Sequence, residues 1–249
     1  MPDTRVALVT GANKGIGLQI AKDLAAHGFT VLLGSRNLER GQAAVKSVGA
    51  DARAIQLDVT DQASITAAVE RIRHEVGRLD VLVNNAGITN AGKPGRPLQE
   101  MAKSGLMSVV SLDEVRTVWE TNVFGVIAVT QAMLPLLRQA PAARIVNISS
   151  GGGSLALNAN PENPHRRMFG NYSASKSALN AITVGFGVDL ESEGIKVNAA
   201  DPGFTQTDLN NNQGTGTVEE AAREPVRLAL LGADGPTGTF SNHNGPVPW

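Results

Sequence analysis

The chain contains no cysteine, which removes disulfide bridges, thiolate catalysis and cysteine-ligated zinc or iron–sulfur centres from consideration. An excess of charge of one sign is missing too. With 22 Lys and Arg against 23 Asp and Glu the formal net charge is −1, so no broad basic field exists to hold nucleic acid or an anionic membrane, and the expected partner is a small molecule. No continuous apolar run is long enough to span a bilayer, and the opening MPDTRVALVTG has no basic segment followed by a long apolar stretch; a soluble, cytoplasmic protein is the expectation. The four histidines, His27, His74, His165 and His243, are scattered without ligand spacing, and no metal is assigned. Aromatic residues make up 4% of the chain and include one tyrosine, Tyr172, four residues ahead of Lys176.

What the sequence does have is alternation. Short runs rich in Val and Ile recur at 5–10, 30–34, 52–58, 80–85, 144–149, 195–200 and, more weakly marked, 237–242. Their continuous apolar character predicts strands buried on both faces. Helix-period segments lie between them at 15–27, 38–47, 61–76, 112–138, 172–193 and 218–231. Strict strand–helix alternation requires parallel strands joined by right-handed crossovers. The expected architecture is an α/β, doubly wound, mostly parallel seven-stranded sheet of Rossmann type with helices on both faces. Residues 1–249 are read as one dinucleotide-binding domain that includes its substrate loops. Three connections, 88–111, 151–170 and 203–217, are longer than such a fold needs. All three leave carboxyl ends of strands, where open α/β sheets bind ligands, which gives them a functional reading.

The first strand runs into TGANKGIG, residues 10–17, and then into a helix. Gly11 permits a tight turn, Gly15 lets backbone approach a pyrophosphate, and Gly17 lets the helix lie close to the sheet. Strand, glycine loop and helix in register are far more specific than the glycines alone. Gly11, Asn13, Lys14, Gly15, Ile16 and Gly17 are therefore cofactor-binding candidates. A carboxylate at the end of the second strand would mark NAD; Ser35 and Arg36 stand there instead. Arg36 can fork onto a 2′-phosphate and Lys14 can add a second cation, so the expected cofactor is NADP(H).

With this loop, NNAG (84–87), Asn122 in ETNVFG, Ser150 in NISS and YSASK (172–176) in order, the chain resembles the short-chain dehydrogenase/reductase family from about Arg5 onward. It looks most like the NADPH-dependent carbonyl reductases within it. The resemblance implies that Tyr172 is the general acid in reduction and that Ser150, rather than Ser149, hydrogen-bonds the carbonyl oxygen. Lys176 would hold the nicotinamide ribose and lower the pKa of Tyr172, and Asn122 would anchor a water that links Lys176 to solvent. Asp58 and Val59 would border the adenine, Asn84, Ala86 and Gly87 would line the cofactor cleft, and Pro202, Gly203, Thr205 and Thr207 would hold the nicotinamide end.

The expected function is reversible hydride transfer from NADPH to a small ketone or aldehyde. Two readings compete: an epimerase or dehydratase that retains its nicotinamide, and a non-catalytic NADP(H) sensor. Leu106, Met107, Met168, Phe169 and Phe204 are apolar candidates for the pocket wall, while Arg96, His165, Arg166 and Arg167 in the same loops leave an anionic substrate open. The length of 151–171 decides neither for a monomer nor for a homo-oligomer. Asp201 is a charge where the family usually carries a small or apolar residue, and no role follows for it from the sequence.

Overall fold

The computed structural model describes residues 4–92 and 97–249; Arg96 lies outside the described residues. In chain order the elements are β1 (Val6–Val9), α1 (Gly15–Ala26), β2 (Thr30–Ser35), α2 (Leu38–Val45), β3 (Ala52–Gln56), α3 (Gln62–Glu75) and β4 (Val81–Asn84). Then follow α4 (Leu98–Ser104), α5 (Leu112–Trp119), a π-helical turn (Glu120–Phe124), α6 (Gly125–Leu137) and β5 (Arg144–Ile148). The remainder is α7 (Leu155–Ala159), α8 (Asn171–Asp189), β6 (Lys196–Ala200), α9 (Val218–Ala229), β7 (Phe240–Asn242) and β8 (Gly245–Pro246).

The strands form one sheet in the order β3-β2-β1-β4-β5-β6-β7-β8. All neighbours are parallel except β7 and β8, which pair antiparallel. The expected seven strands are thus eight. The extra strand is two residues long and ends in Pro246, so it carries no alternation to read, and proline is tolerated because the strand lies at the edge. The helix expected over 112–138 is also more than one regular helix, because five residues in its middle wind as a π turn. By length and composition Leu112–Leu137 is apolar enough to cross a membrane, but half of its most apolar stretch is buried inside the protein, as in a core helix.

Successive residues of β1 face opposite layers, as the period of a strand requires. Ala7 and Val9 join Ile20, Leu24, Leu33 and Val226 under α1, α2 and α9, while Val6 and Leu8 join Leu32, Ile65, Leu82, Val129 and Met133 under α3 and α6. Burying each of the larger side chains stabilises the fold by about 1.5–3 kcal/mol before entropy is subtracted. Chain order reverses between β1 and β4, so a crevice opens above their carboxyl ends.

The opposite, amino edge is closed by polar stitching. Asp80 accepts the Val6 N–H at 2.8 Å and the Arg78 guanidinium at 3.2 Å. Arg144 is 3% exposed and donates to the carbonyls of Leu231, Ala143 and Gly232 at 2.8–2.9 Å. A cavity of about 220 Å³ lined by Arg5, Phe29, Arg78, Asp80 and Arg144 lies there, on the far side of the sheet from the crevice.

Candidate active site

Gly11 and Gly15 sit at φ +64° and +58°, a region that side chains rarely adopt. A Cβ on Gly17 would lie 2.3 Å from Asn85 Nδ2 and 2.8 Å from the Gly11 carbonyl, so the close approach of α1 to the loop requires glycine. The start of α1 differs from that of its neighbours. Asn37 caps α2, Asp61 caps α3, Ser111 caps α5 and Thr217 caps α9. Lys14, at the cap of α1, accepts no such bond, and the first turn carries no acidic residue. The leading N–H groups of α1 therefore face the crevice without a side-chain acceptor, the arrangement that receives a phosphate. This cradle fits a dinucleotide pyrophosphate.

The loop is braced by Asn85. Its Nδ2 donates to the carbonyls of Thr10 at 2.9 Å and Gly11 at 3.2 Å. Thr10 Oγ1 in turn accepts the N–H groups of Asn85 at 2.9 Å and Ala86 at 3.0 Å. The expectation for Asn84 needs correcting. Its amide turns into the core and donates to Thr130 at 3.0 Å and Asn147 at 2.9 Å, so it ties β4 to α6 and β5 instead of lining the cleft with its side chain. Strand alternation is the reason, since neighbouring residues at a strand end point to opposite sides.

Arg36 is exposed at the end of β2, and none of the ion pairs among the described residues involves it. Lys14, expected beside it, bonds Asp208 at 2.7 Å across the crevice. That pair holds the Asp208 carboxyl below its ordinary range, first through the hydrogen bond and then through charge. Asp58 turns onto Thr60, accepting its N–H at 3.0 Å and its hydroxyl at 2.7 Å, and Val59 is buried with its carbonyl against Gly125. Thr205 is buried and gives its hydroxyl to the Pro202 carbonyl at 3.1 Å, while Thr207 approaches the glycine loop at Gly15.

The catalytic candidates converge where β5 meets α8. The Ser149 hydroxyl is buried and bonded to Asn180 Oδ1, whereas Ser150 accepts the Gly152 N–H at 3.1 Å and lies close enough to the Tyr172 phenol to pull its pKa downward. Gly153 allows the approach of α8, because a Cβ there would stand 2.8 Å from Lys176 backbone. Asn122 lies in the π turn and is fully buried. Its side chain accepts the Ile88 N–H at 2.9 Å and donates to the Ile88 carbonyl at 2.8 Å and to Ser175 at 3.0 Å. It thus clamps the end of the β4 loop to α8. Gly87 fills the gap, where a Cβ would meet Asn122 Oδ1 at 3.3 Å and Lys176 Nζ at 3.6 Å.

Lys176 is 5% exposed and donates to the Ile148 carbonyl at 2.7 Å. Burial brings its ammonium down to about 8. Its Nζ lies 5.8 Å from the centre of the Tyr172 ring, over the ring and turned toward Ile148. Burial and then the charge of Asp201 push the phenol up to about 12, against a smaller downward pull from Ser150.

The three long loops meet above the sheet. A Cβ on Gly170 would lie 2.4 Å from the Gly105 carbonyl, which also accepts the Asn171 N–H at 2.8 Å. Trp119 Nε1 donates to Asn171 Oδ1 at 3.0 Å, and the Thr89 hydroxyl to the Leu209 carbonyl at 3.3 Å. Met107, Met168 and Phe204 are each about half exposed at 56%, 52% and 50%, so these loops leave apolar surface unburied at the crevice edge. Leu106 and Phe169 are partly buried, and His165, Arg166 and Arg167 are exposed. Asn85, Thr10 and Asp208 contribute to the site without having been singled out from the sequence. Asn85 carried a readable signal, since it directly precedes Ala86 and alternates with Asn84.

A family model described as short chain dehydrogenase matches residues 5–217. The "Short-chain dehydrogenase anuI" of Penicillium roqueforti is 37% identical over 238 residues, covering 92% of this chain and 89% of that one. Among solved structures, the NADPH-bound carbonyl reductase from chicken fatty liver superposes with a TM-score of 0.81 at 29% identity, covering 99% of each chain. The 3-ketoacyl-(acyl-carrier-protein) reductase from Brucella melitensis complexed with NADH superposes with a TM-score of 0.79 at 25% identity, covering 96% of each.

Proposed function

The chain belongs to the short-chain dehydrogenase family of nicotinamide-dependent oxidoreductases, and from that premise we propose that it is an NADPH-dependent carbonyl reductase acting on a small ketone or aldehyde. The observation that carries this reading is the convergence of Ser150 and Tyr172 at the carboxyl edge of the sheet, close enough for the serine to lower the pKa of the phenol, with Lys176 buried one turn further along α8. When bound, the nicotinamide supplies the hydride. Ser150 orients the carbonyl oxygen and Tyr172 gives it a proton, while the Lys176 ammonium, held by Ile148, provides positive charge and donors for a ribose. The α1 cradle holds the pyrophosphate, and Arg36 takes the 2′-phosphate that distinguishes NADPH from NADH. Lys14 joins it by exchanging its exposed bond to Asp208, which is worth no more than about 1 kcal/mol. Residues 1–249 act as one domain in this reading.

The test is a panel of ketones and aldehydes followed by NADPH absorbance, repeated with NADH and with Arg36→Asp. An Arg–phosphate fork in a partly exposed site is worth about 1.5–3 kcal/mol. The substitution should therefore move preference toward NADH by about one to two decades. Equal use of NADH and NADPH by the parent protein would refute the cofactor assignment, and turnover of no carbonyl in the panel would refute the reaction.

A further inference from the structure

The residues after β8 return to the loop that leaves Ser150. Val247 N–H donates to the Phe240 carbonyl at 2.8 Å, and the Trp249 ring stacks on Phe240 with centroids 5.6 Å apart and planes 24° from parallel. The main chain of this tail then meets α7: the Pro248 carbonyl accepts the Ser154 hydroxyl at 2.6 Å, and the Trp249 main-chain oxygen accepts the Ala156 N–H at 2.8 Å. Ser154 is fully buried and its hydroxyl also accepts the Leu157 N–H at 3.1 Å, so one oxygen joins the tail to the start of the helix. Asn158 carries the connection back along the loop, donating to the carbonyls of Gly152 at 3.0 Å and Ser154 at 2.7 Å. The Gly152 N–H ends on Ser150 Oγ at 3.1 Å, and the Gly153 N–H on the Ser150 carbonyl at 2.7 Å. None of the five residues of α7 is buried, and a helix so short does not hold itself together in water. Its order must therefore come from the bonds at its two ends.

We propose that Trp249 is a positioning residue for the reaction: stacked on Phe240, it holds the tail as a strap across α7, and through α7 it fixes the turn that aims the Ser150 hydroxyl. The inference rests on the carbonyl-reduction reading above, in which Ser150 orients the carbonyl oxygen. Trp249 is 38% exposed, so burial is a minor part of what it contributes and the fold survives its replacement. What the replacement frees is α7. On its inner side the turn keeps its bonds to α8, where the Gly153 carbonyl accepts the Ser177 hydroxyl at 2.8 Å and Asn180 Nδ2 at 3.3 Å. On its outer side the acceptors for Ser154 and Ala156 lose their anchor, and Gly152 loosens with Asn158. Ser150 then stays at the end of β5 while its hydroxyl loses a fixed partner, and a misaimed group costs rate rather than cofactor binding.

Amide hydrogen exchange reads the strap without reference to activity. In Trp249→Ala the amides of Gly152, Ala156 and Leu157 should exchange about two- to tenfold faster, the weight of one aromatic stack, while the Ala12 amide, bonded to the Gly34 carbonyl in the glycine loop, keeps its rate. The kcat for the best ketone of the panel should fall by about the same two- to tenfold factor while the NADPH dissociation constant holds, and Trp249→Phe, which keeps a ring on Phe240, should restore both exchange and kcat. In a Ser150→Ala background the further loss from Trp249→Ala should disappear, because the group being aimed is gone. Unchanged exchange at Ala156, or an equal loss of kcat with and without Ser150, would overturn the role of Trp249 while leaving the enzyme a reductase. Carbonyl reduction untouched by Ser150→Ala would instead overturn the functional reading beneath it.

Discussion

The two ends of β5 treat charge in opposite ways. At the amino end, the buried guanidinium of Arg144 hands N–H groups to three backbone carbonyls, and nearby Asp80 is met by Arg78 and the Val6 amide. At the carboxyl end, buried Lys176 has the single carbonyl of Ile148, and Asp201 has two neutral donors and no cation. Helices α1 and α8, like the short α4, start without a side-chain cap, whereas α2, α3, α5, α7 and α9 are capped. One edge spends its polar groups on stability. The other holds them back for what arrives.

Substitutions should separate the two edges. The largest expected effect is at the carboxyl edge: Tyr172→Phe removes the proposed proton donor, and carbonyl reduction should fall by about 10²–10⁴-fold, while NADPH affinity and the melting temperature stay close to the parent values. Isothermal titration with NADPH alongside kcat measurements checks this, and a parallel loss of binding would blur the contrast. At the amino edge, Arg144→Met removes three hydrogen bonds at about 1 kcal/mol each and leaves the Leu231 carbonyl without its donor, while the carbonyls of Ala143 and Gly232 keep the N–H groups of Lys196 and Gly235, so chemical denaturation should register a loss of at most about 3 kcal/mol. The kcat/KM of the folded fraction should not change.

The smallest effect has the opposite sign. Lys176 titrates at about 8 in the fold against 10.5 for a free lysine, so between those values the unfolded chain binds more protons and stability rises with pH. Below pH 8 the full penalty stands, about 3 kcal/mol. Lys176→Met removes it and gives up the bond to Ile148, worth about 1 kcal/mol. The variant should be about 2 kcal/mol more stable than the parent at pH 7, with the gain vanishing by about pH 10 as the penalty falls to the worth of the lost bond, and nearly inactive. Denaturation curves across pH 7–10 measure it, staying below the range in which Tyr172, raised to about 12, would begin to withdraw stability. A Lys176→Met protein less stable than the parent at pH 7 would mean that the two edges do not differ in this way.

The parallel strands, their flanking helices and the glycine loop were legible because burial on both faces writes itself into continuous Val and Ile runs, and positive φ into glycine. Ser150 could be told from Ser149 only through resemblance, and the structure supplies the physical difference, since the Ser149 hydroxyl is consumed by Asn180. Helices α4 and α7 fall in stretches that the sequence marks only as long connections, because at seven and five residues they are too short for a 3.6-residue period to declare itself. The exchange of roles between Asn84 and Asn85 turns on which way a strand end faces, and the Lys14–Asp208 pair joins residues 194 positions apart. Local pattern does not encode either. Asp201 stands out in the sequence as an unusual charge, but its neighbours Gly151, Gly203 and Asn242 come from three separate stretches of chain.

The π turn at Glu120–Phe124 is, in the arithmetic of insertion and deletion, one residue too many for a regular helix. Deleting a residue there would restore uninterrupted α-helical winding from α5 into α6 and rotate one side of the break against the other by about 100°. Such a repair gives a more regular helix, yet it swings Asn122 off Ile88 and Ser175 and pushes Phe124, now 52% exposed, onto a new face. The chain therefore keeps a mis-wound turn within a single codon of correction, and what preserves it is the clamp on Ile88 rather than the quality of the helix.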